Sequence, residues 1–134
     1  MPATAFEVAT LPLDAAVKAV RHGLPAGAFN DLARVLSLSS GVLARKLGIP
    51  TRTLSRKRER GVRLSTELSE KLVRTARIQM LARKVFTTDV AVSEWLALPA
   101  PALHGAAPID MIDTEMGARE VEALIQGIVY GNVM

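Results

Sequence analysis

SGVLARKLGIPTRTLSRKRERG, running from Ser40 to Gly61, is the stretch whose reading decides the fold. Leu43 and Leu47 stand four residues apart on one face of a short helix that stops at Gly48, with Ser39 or Ser40 as its N-cap. Ile49-Pro50 makes the turn, Thr51 is placed to cap a second helix to about Arg60, and Gly61 supplies the left-handed residue that ends it. Two short helices joined by a three-residue turn containing Gly48 have the spacing of a helix-turn-helix. The second helix carries one plainly apolar residue, Leu54, its expected buried anchor, among Arg52, Thr53, Ser55, Arg56, Lys57, Arg58 and Arg60. Such a helix is nearly all donor surface. Arg52, Thr53 and Arg56 lie in its N-terminal half, the part that reaches base edges in the major groove, where arginine pairs bidentately with guanine. Arg45, Lys46, Lys57 and Arg60 are placed for phosphates, which position a protein without reading sequence; Ser55 is a further DNA-facing donor. A charge run by itself is usually a solvated helix face. Here turn, anchor and basicity coincide in one segment. Three Phe, one Trp and one Tyr are too few for the stacking that single-strand readers use, so duplex DNA is the expected target. One small unit of this kind is expected to act as a dimer on two half-sites about 34–36 Å apart.

Outward from that stretch the pattern stays helical, with no period-two alternation, and the fold class is all-α. A helix from about Pro12 to His22 places Leu13, Val17 and Val20 on one face, and Gly23 to Gly27 reads as a hinge or turn. A second, Ala28 to Leu36, is expected to bury Phe29, Leu32, Val35 and Leu36. Ser65 caps a long helix to about Phe86 whose first buried face is Leu68, Leu72 and Ala76. Thr88 caps another, Asp89 to Leu98, burying Val92, Trp95 and Leu96 and stopped by Pro99 and Pro101. The last, from about Thr114 to Val129, turns Val121, Leu124, Ile125 and Ile128 inward. The expected division is an N-terminal helix and dimer or packing segment over 1–22, a DNA-binding domain over 23–80 and a C-terminal domain over 81–134.

Composition removes most alternatives. The chain has 134 residues, 49% apolar and 22% charged, the make-up of one globular domain or two very small ones. Without cysteine there are no disulfides, thiolate nucleophiles or zinc fingers, and His22 and His104 are the only imidazoles. No nucleophile–base or metal-ligand spacing occurs, so neither enzyme nor metal or other cofactor is expected. Asp110, Asp113 and Glu115 cluster, but at the start of a helix they serve its dipole first. Met1 to Val20 carries Glu7 and Asp14 and no signal-peptide core, and no apolar run approaches the ~18 residues of a membrane span. A cytoplasmic location with no membrane partner is the expectation.

The net charge of +4 conceals an asymmetry. Residues 1–44 are neutral; residues 45–84 hold thirteen basic and three acidic side chains; residues 85–134 hold one basic residue, Arg119, and seven acidic ones. A block of +10 followed by one of −6 points to two partners of opposite charge. Beyond the last helix, Tyr130, Val133 and Met134 are apolar residues on a terminal segment of the kind that docks on a partner.

Two segments carry a family resemblance. LARKLGIPTRTLSR, Leu43 to Arg56, followed by LSTELSEKL, Leu64 to Leu72, is similar to the DNA-binding half of Xre/MbcA/ParS-type antitoxins, the partners of RES-domain toxins in type II toxin-antitoxin modules. PIDMIDTEMGAREVE, Pro108 to Glu122, through Tyr130-Gly131 resembles their toxin-binding half. The resemblance implies a homodimer that binds double-stranded operator DNA, represses its own operon and neutralises a RES-domain toxin that consumes or transfers from NAD. It further implies that the C-terminal region covers the toxin's active site. Asp113, Thr114, Glu115, Gly117, Arg119, Glu120 and Glu122 fall on the family motif, and Tyr130, Asn132, Val133 and Met134 on its terminal segment. The competing reading is a stand-alone dimeric repressor whose acidic half only dimerises.

Overall fold

Local capping chemistry sets most of the helix boundaries. A computed structural model describes residues 2–131, and among them every regular element is a helix. In chain order these are α1 (Ala5–Ala9), α2 (Leu13–His22), α3 (Gly27–Val35), α4 (Ser40–Lys46), α5 (Thr51–Arg60), α6 (Thr66–Ala82), α7 (Asp89–Ala97) and α8 (Glu115–Val129), with short 3-10 turns at Pro101–Leu103 and Pro108–Met111. Ser39, Ser65, Thr88 and Thr114 each accept a hydrogen bond from the backbone N–H three residues on, at 3.0–3.2 Å. This settles the N-cap of α4 on Ser39.

Several expectations are corrected. α1 has no counterpart in the sequence reading, although Thr4 and Glu7 form a Thr-x-x-Glu cap in which the Thr4 hydroxyl accepts from Glu7 N–H. Thr51 is the first residue of α5 rather than its cap; Pro50 holds that position, extended at φ −62° and ψ 125°, and makes no side-chain capping bond because its ring carries no polar group. α6 ends at Ala82 rather than Phe86, since the Val85 and Phe86 N–H groups both close on the Ala82 carbonyl. Leu13 is 81% exposed, so α2 turns Ala19 inward instead.

Gly23 to Gly27 is a pinned turn, not a hinge. Leu24 is 2% exposed, its N–H donates to Ser69 Oγ at 2.9 Å and its carbonyl accepts from Leu64 N–H at 2.8 Å. Gly23 has φ +93°, and a side-chain carbon there would run into the Leu64 carbonyl.

One continuous core joins both halves. α6 is its axis, packing against α1, α2 and α3 on one side and α8 on the other. Phe29, Leu32, Leu43, Leu47, Leu72 and Ala76 fill the N-terminal part; Val92, Leu96, Ile112, Val121 and Ile125 fill the C-terminal part. Val35, Leu68, Trp95, Leu124 and Ile128, expected inside, are only partly covered.

Candidate DNA-binding and acidic partner-binding faces

Helix α4 is held by Leu43, Ala44 and Leu47, all fully buried, and the turn after it by Ile49, whose N–H donates to the Ala44 carbonyl at 2.8 Å. α5 is different: it has no fully buried residue, and Leu54 is half-covered against the core rather than sunk into it. At 100° per residue, Leu54 and Lys57 turn toward the body, Thr53 and Ser55 lie on opposite flanks, and Arg52, Arg56 and Glu59 turn away from it; these three outward residues are exposed. Thr53 therefore sits on a flank, where with Arg56, Lys57, Arg60 and Val62 it lines a shallow cleft of about 200 Å³. Arg58 occupies the other flank, in a groove shared with Asn30, Ser40 and Thr51. Arg58, named from sequence on the donor helix without a role of its own, and Glu59, which the sequence reading missed, both belong to this surface; the helical period of the anchor Leu54 locates both.

The electrostatics of α5 are uncompensated. Five ion pairs are present among the described residues, and none uses an α5 side chain. Arg52, Arg56, Arg58 and Arg60 thus present guanidinium groups to solvent with no carboxylate within ion-pair distance, although Glu59 shares the helix, and guanidinium groups so placed are suited to phosphate or base pairing. Arg45 is also exposed. The remaining expected phosphate ligands have other work. Lys46 Nζ is 2.5 Å from Asp110, and Lys57 Nζ donates to the Arg63 carbonyl at 3.3 Å. In turn Arg63 donates to the Gly23 carbonyl at 2.9 Å, and Lys71 to the Leu47 carbonyl at 3.0 Å.

The second face is built around the start of α8. Thr114 caps it by accepting from Gly117 N–H at 3.0 Å, and Gly117 lies so close to the Met111 carbonyl that no side-chain carbon fits. From α6, Arg74 crosses to this junction with 8% exposure. Its Nη2 donates to the Ile112 and Asp113 carbonyls at 3.2 Å each, and its Nη1 to Glu115 at 3.3 Å. Arg119 Nε also donates to Glu115, at 3.2 Å. The Asp-Thr-Glu-x-Gly run therefore fixes α8 onto α6: Asp113 contributes its carbonyl, Thr114 the cap, Glu115 an anion held between two arginines, and Gly117 the close approach.

Along α8 the buried stripe is Gly117, Ala118, Val121 and Ile125. Opposite it Met116, Arg119, Glu120, Ala123, Gln126 and Tyr130 are exposed, Met116 at 81% and Tyr130 at 77%. Arg119, Glu120 and Tyr130, expected at a partner surface, share this outward strip. Asp113 is exposed just before the helix, and Glu122 is half-covered on the flank. Met116, Ala123 and Gln126 join the strip although they carry no motif signal. The Asn132, Val133 and Met134 positions lie outside the described residues.

Comparison with known proteins divides the chain within α6. Residues 15–77 match the antitoxin Xre-like helix-turn-helix domain, and residues 81–131 match the antitoxin Xre/MbcA/ParS C-terminal toxin-binding domain. The Antitoxin Xre of Yersinia enterocolitica is 28% identical over 116 residues, 86% of this chain and 78% of that protein. The Antitoxin Xre of Pseudomonas putida is 34% identical over 83 residues, 62% of this chain and about half, 52%, of that protein. A Sphingobium protein named Prs ADP-ribosylating antitoxin is 28% identical over 121 residues, covering 84% of this chain and 76% of its own length.

Proposed function

Because the chain belongs to the Xre/MbcA/ParS antitoxin family, with a helix-turn-helix domain followed by a toxin-binding domain, we propose that it neutralises a RES-domain, NAD-consuming toxin in the cytoplasm and represses its own operon as a homodimer. The observation that carries this reading is the separation of two charged faces on one core. α5 offers unquenched guanidinium groups to DNA, and α8 offers Glu120 beside exposed Met116 and Tyr130 to a protein. The name of the Sphingobium relative associates an antitoxin with ADP-ribosylation, the chemistry of a NAD-handling partner. A toxin that binds a dinucleotide holds its pyrophosphate with basic groups. Carboxylates of the −6 block, with the segment from Tyr130 to Met134, are suited to pair with those groups and cover the cleft. On the DNA side, two protomers place two α5 helices in successive major grooves about 34–36 Å apart.

Co-expression tests both arms. The protein encoded beside this gene is induced with and without the chain, and growth is followed together with a reporter driven by the operon's promoter. Rescue of growth with repression of the reporter is the expected result. Repression without rescue marks a stand-alone dimeric repressor, and a chain lacking Tyr130 to Met134 that still rescues growth fully removes the tail from the inhibitory contact.

A further inference from the structure

The C-terminal half carries a second surface feature. Where the end of α7, the loop after it and α8 meet lies an apolar cleft of about 180 Å³, lined by Trp95, Leu98, Pro99, Pro101, Ala102 and Leu124. It is preformed. The Trp95 ring is braced by Phe86 at 5.6 Å between centroids, and the loop is closed by hydrogen bonds from Ala100 N–H to the Ala106 carbonyl and from Gly105 N–H to the Ala100 carbonyl, both 3.0 Å. Pro99 and Pro101 fix their own φ angles, so little chain entropy is lost when the cleft fills. Leu98 stands at its rim, 59% exposed.

We propose that this cleft is an anchor pocket for the toxin, taking one aliphatic or aromatic side chain that is flanked on the toxin surface by lysine or arginine. The proposal rests on the reading that the C-terminal domain grips a toxin, and adds a second point of contact to the α8 strip. Two observations select this occupant. The first is continuity: Leu124 belongs to α8 and has Glu120 of the outward strip one turn away, so a partner seated on that strip reaches the cleft across one edge of the helix. The second is charge: each helix lining the cleft sets an exposed glutamate four residues before its lining leucine, Glu94 before Leu98 and Glu120 before Leu124. An apolar pocket with an acidic rim is complementary to an apolar residue set among cations, and a buried anchor inside a charged rim is the usual anatomy of a binding hot spot.

Trp95 is the only tryptophan, which makes it a reporter inside the cleft. The full chain, labelled with 5-fluorotryptophan, is titrated with the unlabelled purified protein of the adjacent reading frame and followed by ¹⁹F NMR, with affinity measured by calorimetry. The Trp95 resonance moves on binding, and Leu98→Lys lowers affinity about tenfold or more, as expected when a cation replaces an apolar wall of the pocket that receives the anchor. Val90→Lys makes the same change at an equally exposed apolar site on α7 outside the cleft, 60% against 59%, and leaves affinity within about threefold. A resonance unmoved at saturation overturns the pocket, as does wild-type affinity in Leu98→Lys alongside a weakened Tyr130→Ala; both leave the toxin-binding reading in place. No binding by the unmodified chain overturns both.

Discussion

The two halves use their charges in opposite ways. On α5, Arg52, Arg56, Arg58 and Arg60 have no carboxylate partner among the described residues. At the start of α8, Glu115 is held by Arg74 and Arg119, and the Asp113 carbonyl is held by Arg74. In the first half the characteristic residues lie on an exposed face; in the second, Asp113, Thr114, Glu115 and Gly117 build the junction, and the outward strip mixes the motif residues Arg119 and Glu120 with ordinary neighbours such as Met116, Ala123 and Gln126. A motif therefore marks where a domain is built, which need not be where it is touched.

Breaking the junction has the largest expected effect. Arg74→Ala removes three hydrogen bonds and strands the Ile112 and Asp113 carbonyls. The loss is about 3 kcal/mol in chemical denaturation, with toxin inhibition impaired more than operator binding because α8 rather than α5 loses its support. Equal loss of the two activities indicates that the whole fold depends on this residue and erases the contrast between the halves. Gly117→Ala, which forces a methyl group against the Met111 carbonyl, costs about 2 kcal/mol, and Thr114→Ala about 1 kcal/mol through the lost cap.

On the other side of the comparison, Arg52→Ala and Arg56→Ala leave the denaturation midpoint unchanged, since both side chains are exposed and without an ion-pair partner. Each weakens operator binding by about 1–3 kcal/mol in fluorescence anisotropy if it reads a base. A variant that loses stability instead assigns that arginine to the scaffold, as Arg74 is assigned.

The sequence made the helices legible wherever a cap announced them, at Ser65, Thr88 and Thr114, and it located the helix-turn-helix from Leu43, Leu47, Gly48 and Leu54. It misjudged features decided by packing. Leu13 and Ala19 lie on different faces of a short helix with apolar residues on both, so periodicity alone left the inward face undetermined. Leu24 looked like hinge material because its neighbours are Gly and Pro, yet it is buried, its carbonyl held by the Leu64 N–H and its N–H by the Ser69 hydroxyl. The basic block is the clearest case. Of its thirteen basic residues, Lys46, Lys57, Arg63, Lys71, Arg74 and Arg83 are engaged with carbonyls or carboxylates of the same chain. A count along the chain assigns all of them to one outward face, whereas the fold leaves that role chiefly to the four arginines of α5.

Lys46, like Arg74, joins the two halves, and it supports the finest test. Its ammonium faces Asp110, 2.5 Å away, at the entrance to the C-terminal domain, while its backbone belongs to α4 of the helix-turn-helix. Both side chains are about a third to a half exposed, so the pair contributes less than about 1 kcal/mol to stability and is screened by salt. Asp110→Asn removes the carboxylate and returns one cation to the DNA-facing half. Operator affinity then rises a few-fold at low salt, and the slope of log K against log salt steepens by roughly one per protomer, the signature of one additional phosphate neutralised. An unchanged slope means that Lys46 lies out of reach of phosphate, and the basic face shrinks to α5 and Arg45. A steeper slope makes Asp110 the point at which any partner that alters the Pro108–Met111 turn also alters the hold on DNA.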